Sequence, residues 1–221
     1  MSIGLAVFVK TSALSPVKTR LAAAIGADAA LSVYRASVAC VRESVSQAST
    51  RCSLQPYWAV AEAEGARSWG EWPVLVQPEG DLGARMSAVY DAMLQRHQGA
   101  ILLGADAPAI NAWQIADASS ALEHDLARVI SLAEDGGFVL FGSNADLSHY
   151  DWSGVPYGSP DTAMRFLDEV GPGLPLIQLE SHCDLDTVDD LQRLAQRPPT
   201  RPTSAQQRFW QLIPEWLADR R

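Results

Sequence analysis

Of the 17 lysines and arginines in this 221-residue chain only two are lysines, Lys10 and Lys18, and both fall in one short segment. That segment, Lys10-Thr11-Ser12-Ala13-Leu14-Ser15-Pro16-Val17-Lys18-Thr19-Arg20, directly follows the apolar run Ile3–Val9. Three cations, several hydroxyls and free main-chain amides in a loop beyond a strand suit a polyphosphate. The alternative is a solvated basic loop. The segment lacks the GxxxxGK[ST] spacing of a P-loop.

Three further segments carry acids. Asp106, in Gly104-Ala105-Asp106-Ala107-Pro108, follows another branched apolar run, where a carboxylate serves as a metal or substrate ligand or caps the next helix. In Glu134-Asp135-Gly136-Gly137 two acids sit beside two glycines, which accept positive φ and let a ligand approach the backbone; a plain hairpin turn is the competing reading. In Asp184-Leu185-Asp186-Thr187 the acids at i and i+2 share a face if the segment is extended. Two bare carboxylates about 4 Å apart repel by roughly 4 kcal/mol at an effective dielectric near 20. A divalent cation removes that cost, and oxygen ligands without a Cys or His cluster favour Mg²⁺ or Mn²⁺. Otherwise Asp186 or Thr187 merely caps a helix. Gly80-Asp81-Leu82-Gly83-Ala84-Arg85 opens a helix, where it could touch a nucleotide or serve as an ordinary tight entry.

The elements that must position these groups follow from periodicity. Ile3–Val9, Leu54–Val60, residues 74–77, residues 100–104, 129–132, 138–141 and 176–179 read as strands. Residues 28–47 (capped by Asp28), 82–97, 111–124, 160–170 and 187–195 read as helices. Strands alternating with crossover helices predict an α/β fold, a mostly parallel sheet covered on both faces, with antiparallel content at the Gly-Gly turn. Residues 1–196 form the expected domain. Residues 197–203, with three prolines, form a linker, and residues 204–221 an amphipathic tail whose apolar face (Phe209, Leu212, Ile213, Trp216, Leu217) either straps the domain or contacts a second copy in a homodimer.

Composition narrows the function. The net charge of -9 argues against nucleic-acid binding. Hydrophobic residues make up 48%, enough for a large core, and charged residues only 19%, which excludes disorder over the whole chain. Cys40, Cys52 and Cys183 show no CxxC spacing, so a disulfide framework or structural zinc is not expected. No apolar run is long enough to span a bilayer, and Lys10 cuts the first one short, so the expectation is a cytoplasmic protein.

The five segments just quoted, together with Gly154-Val155-Pro156-Tyr157, occur in the order of a known family. Over residues 3–195 the chain resembles the bacterial GT-A-type glycosyltransferases, or nucleotide-diphospho-sugar transferases, whose wider relatives include guanylyltransferases for 2-phospho-lactate and phosphoenolpyruvate. The resemblance implies a Rossmann-like nucleotide-diphospho-sugar transferase fold. It implies phosphate binding by Lys10, Lys18 and Arg20, with Gly80, Asp81 and Arg85 near the nucleotide. It also implies metal at Asp106 and, as in the nucleotidyltransferase relatives, at Asp184 and Asp186. Glu134 and Asp135 would orient or deprotonate a small-molecule acceptor, and Gly136, Gly137 and Tyr157 would line the substrate pocket. The sequence departs from the family where serines flank the aspartate (Ala105 and Ala107 here) and where Trp stands in place of Tyr157. The expected reaction is metal-dependent glycosyl transfer from a nucleotide-sugar. The alternatives are nucleotidyl transfer from a nucleoside triphosphate, or binding without catalysis on a degenerate site.

Overall fold

A computed structural model describes residues 2–218. Among these described residues seven strands form one sheet: β1 (Ile3–Val9), β2 (Leu54–Val60), β3 (Val74–Val76), β4 (Gly99–Gly104), β5 (Arg128–Leu132), β6 (Phe138–Ser143) and β7 (Leu176–Gln178). Their order across the sheet is β3-β2-β1-β4-β6-β5-β7. Every pairing is parallel except those of β6, which runs against both β4 and β5. The antiparallel pair expected around the Gly-Gly turn is therefore the β5–β6 hairpin, and it accounts for the mixed character of the sheet.

Around it the described residues form seven α-helices: α1 (Thr19–Ile25), α2 (Ala27–Ser49), α3 (Leu82–Leu94), α4 (Ala112–Ala121), α5 (Thr162–Glu169), α6 (Val188–Ala195) and α7 (Ser204–Ala218). Both faces of the sheet are covered, so β1 is a nearly continuous buried run rather than an alternating one. Its Ile3, Leu5, Val7 and Val9 pack with Val41 and Val45 of α2 and Ile115 of α4. Ala6 faces the opposite layer, with Met86 and Tyr90 of α3 and Phe166 of α5.

Two sequence expectations change, and one open alternative narrows. Asp28 does not cap α2; Gly26, at φ 88°, is the N-cap and Asp28 sits in the first turn. The basic segment is not loop to its end, because Thr19 and Arg20 already belong to α1. The tail's apolar face is spent on its own chain: Phe209, Ile213 and Trp216 pack with Leu21, Ile25, Leu191 and Leu194. That packing favours the strap of the two readings, with Leu212 and Leu217 left partly buried at its edge. Pro214 lies inside α7 without ending it. Residues 219–221 of the expected tail lie outside the described residues.

Candidate functional site

The carboxyl ends of β1 and β4 and the start of the reversed β6 open on one cavity of about 720 Å³. Its wall carries Lys10, Lys18, Arg20 and Arg85 together with Asp106 and Asp186, and its apolar part includes Phe8, Met86 and Phe138. This is the crevice beyond the strand ends where open α/β sheets place ligands.

Helix α2 fixes two of the converging loops from beneath. The Tyr34 hydroxyl accepts a hydrogen bond from the Lys10 amide (2.9 Å) and donates one to the Lys10 carbonyl (2.8 Å). Burial, together with nearby Glu62 and Asp106, pushes the Tyr34 phenol up to about 12, so it stays a donor. One turn on, Ser37 donates to the Ala105 carbonyl at 2.7 Å and holds the Asp106 loop. Thr11 anchors the rest of the basic loop: its amide donates to Glu62 (2.6 Å), and its hydroxyl accepts from the Trp69 indole (3.0 Å).

Lys18 is the centre of the charge arrangement. Its Nζ lies 2.8 Å from Asp186 Oδ1 and 3.5 Å from Asp106 Oδ2. The lysine side chain is 7% exposed, whereas the two carboxylates are 40% and 46% exposed. Burial alone would lower the ammonium's pKa, but Asp106 and Asp186 outweigh it and hold the group charged above its ordinary range. The Lys18 backbone is left-handed, at φ 49° and ψ 47°, a conformation costly for a residue with a Cβ. Lys10, Arg20 and Arg85 meet no carboxylate within ion-pair distance among the described residues, which leaves three uncompensated cations on the wall.

The other expected site residues sit elsewhere. Asp184 is off the cavity wall, half-buried; burial and then Asp135, Asp106, Asp190 and Asp186 push its carboxyl up to about 7. Thr187 caps α6 with Asp190, which frees Asp186 for Lys18. Glu134 pairs with Arg193 and Arg197, and Asp135 accepts the Gly137 amide within its own turn (2.9 Å). Gly136, at φ 93°, lies so close to the Pro160 carbonyl that a Cβ would come within 1.9 Å of it, so this glycine admits a neighbouring loop. Tyr157 donates to the Trp152 carbonyl (2.8 Å) at the edge of an aromatic cluster. Asp81 caps α3 by accepting from Ala84 (2.8 Å), and the Gly80 carbonyl accepts from Arg85 Nε (2.9 Å). Ala107 is fully buried in the core. Tyr34 and Gln77, both on the cavity wall, escape sequence reasoning because each reads as part of an apolar stripe or strand end.

Among the described residues no three His, Cys, Asp or Glu side chains gather as a metal site. The wall offers two carboxylates, Asp106 and Asp186, whose hard oxygens fit Mg²⁺ or Mn²⁺ when phosphate oxygens and water complete the shell. Among the described residues no helix is long and apolar enough to cross a membrane.

The sequence profile of the family described as "Uncharacterized protein conserved in bacteria (DUF2064)" matches residues 39–159. No curated protein matches the sequence. A Desulfovibrio desulfuricans G20 protein, provisionally named a nucleotide-diphospho-sugar transferase, superposes with TM-score 0.77 at 25% identity, covering 98% of this chain and 99% of its own. Rv0371c of Mycobacterium tuberculosis, solved in complex with manganese, superposes with TM-score 0.51 at 16% identity over 89% of this chain and 100% of its own. A Methanothermobacter nucleotidyl transferase gives TM-score 0.53 at 14% identity over 87% and 95%. The last two likenesses show a shared fold.

Proposed function

As this chain belongs to the bacterial family DUF2064, we propose that it is a metal-dependent transferase that takes a nucleotide-diphospho-sugar and passes the sugar to a small-molecule acceptor. The observation that carries this reading is the gathering of Lys10, Lys18, Arg20 and Arg85 on one cavity wall of a chain whose net charge is -9. The volume of about 720 Å³ falls within the range typical of small-molecule sites. The Desulfovibrio likeness over nearly the whole of both chains supports the donor class.

Lys10, Arg20 and Arg85 would hold the diphosphate by charge-assisted hydrogen bonds and offset the negative charge that grows on it as the sugar leaves. Tyr34 and Ser37 keep the two charged loops in register, so this stabilisation needs little reorganisation during the reaction. Asp106 and Asp186 would hold the divalent ion, which when bound supplies Lewis-acid neutralisation of the diphosphate. Phe8, Met86 and Phe138 line the apolar part of the cavity. Glu134 and Asp135, expected to serve the acceptor, stay with their ion pairs and turn in this reading.

Incubation with Mn²⁺ and a panel of nucleotide-diphospho-sugars, followed by product analysis, tests the proposal. Release of free nucleoside diphosphate is expected. Pyrophosphate released from a nucleoside triphosphate would instead favour nucleotidyl transfer, the activity of the Methanothermobacter neighbour. No turnover with either donor class leaves a binding protein.

A further inference from the structure

The Lys18 ammonium stands between Asp106 and Asp186, the position a divalent ion shared by the two carboxylates would take. We propose that Lys18 is a built-in counter-ion that closes the Asp106–Asp186 pair to metal until a diphosphate enters the cavity, then releases the carboxylates by turning its ammonium to the phosphates. This inference rests on the reading of the site as one for metal and diphosphate.

Three features support it. The ammonium is buried while both carboxylates remain open to solvent, so a cation arriving from outside reaches acids already neutralised from within. Lys18 holds a costly left-handed backbone at the start of α1, with no side-chain cap to repay it, while its side chain is buried. Lys18 also lines the cavity beside Lys10 and Arg20, so its rotatable four-carbon stem can turn among the cations proposed to hold the phosphates. Two carboxylates and one ammonium leave a single net negative charge, a weak attraction for a dication. Once the ammonium has another anion to face, the pair regains its full double charge. Metal and diphosphate must then strengthen each other's binding by the same factor.

The test uses Mn²⁺ alone, followed by the paramagnetic signal of the free ion, on wild type, Lys18→Met, Lys18→Gln and Lys18→Met/Asp186→Asn. Either single variant should bind Mn²⁺ at least tenfold more tightly than wild type, a gain of about 1.4 kcal/mol, and the double variant should lose that gain. Lys18→Gln keeps the measurement interpretable if the methionine variant does not melt cooperatively. A companion titration with inorganic pyrophosphate in metal-free buffer should show weaker binding by both single variants. Equal Mn²⁺ affinity in wild type and variants overturns the counter-ion role while leaving a metal site intact. Absence of Mn²⁺ binding by every protein overturns the metal site along with it. Unchanged pyrophosphate binding overturns the transfer of Lys18 to the phosphates.

Discussion

The main-chain amide of Leu185 donates to the main-chain carbonyl of Asp106 at 3.0 Å. This single bond joins two segments 79 positions apart in number and sets Asp186 opposite Asp106 across the Lys18 ammonium. The acids of the site are therefore registered by backbone, as strands are, and their side chains are left free for charge.

Lys10→Ala and Arg20→Ala should each weaken a nucleoside diphosphate about tenfold or more while leaving the corresponding nucleoside unchanged, since charge-assisted hydrogen bonds contribute roughly 1.5–3 kcal/mol. Paired calorimetric titrations measure this. Equal losses for both ligands would remove the phosphate role from these residues.

Much of this site could be read in advance, and the reasons differ by residue. Lys10 and Asp106 stand out because charge just after a branched apolar run has no structural task that a neutral residue would not do as well, and Lys18 because it is the only other lysine and falls in the same short segment. Glu134, Asp135, Gly80, Asp81 and Gly136 carry the same outward signature, yet turns and caps use acids and glycines for their own ends. Periodicity separates strand from helix but not a capping acid from a ligating one. Tyr34 was hidden for the opposite reason: in the stripe of α2 it looks apolar, and its hydroxyl task is set by a loop 24 positions away.

The packing of α7 bears on the domain boundary expected near residue 197. Phe209 is fully buried against Trp210 and Trp216 and within the cluster of α1 and α6. Phe209→Ala should cost about 3–5 kcal/mol, visible as a lower midpoint in denaturant. Ending the chain at Arg197 should abolish cooperative melting. A truncated chain with the midpoint of the full one would show that α7 is an appendage.

Gly83→Ala offers a test in which local and tertiary preferences oppose each other. Helix propensity alone favours alanine inside α3 by about 1 kcal/mol. A Cβ at Gly83, however, would come within 2.1 Å of the Trp152 carbonyl. The substitution should therefore lower the melting temperature, and a rise would mean that the α3–Trp152 contact is looser than described.

His182 should contribute a loss of stability on mild acidification, opposed in the same range by Asp184, whose raised carboxyl holds a proton that the unfolded chain has released. The His182 ring is buried, Nε2 lies 2.9 Å from Gln114 Oε1, and burial lowers its pKa although Glu180 opposes the shift. The unfolded chain takes up a proton near pH 6.5 while the folded one resists it, so this contribution is intact above about 6.5 and declines below it. His97, also lowered by burial, adds to the same limb. His182→Gln should flatten part of the decline between about pH 7 and 5, measured as melting temperature against pH. An unaltered slope would assign the whole effect to other groups.

The cations on the cavity wall belong to a molecule that is otherwise strongly anionic, and this would shape how the proposed phosphorylated substrate finds its way in. In dilute salt, at about 0.01 M, fields reach roughly 30 Å and an approaching anion meets the repulsion of the whole surface first. At physiological ionic strength the reach shrinks to about 8 Å, so the distant acids fade and only the mouth of the cleft is felt. Capture is thereby short-sighted by construction: diffusion delivers the ligand, and attraction begins at the threshold.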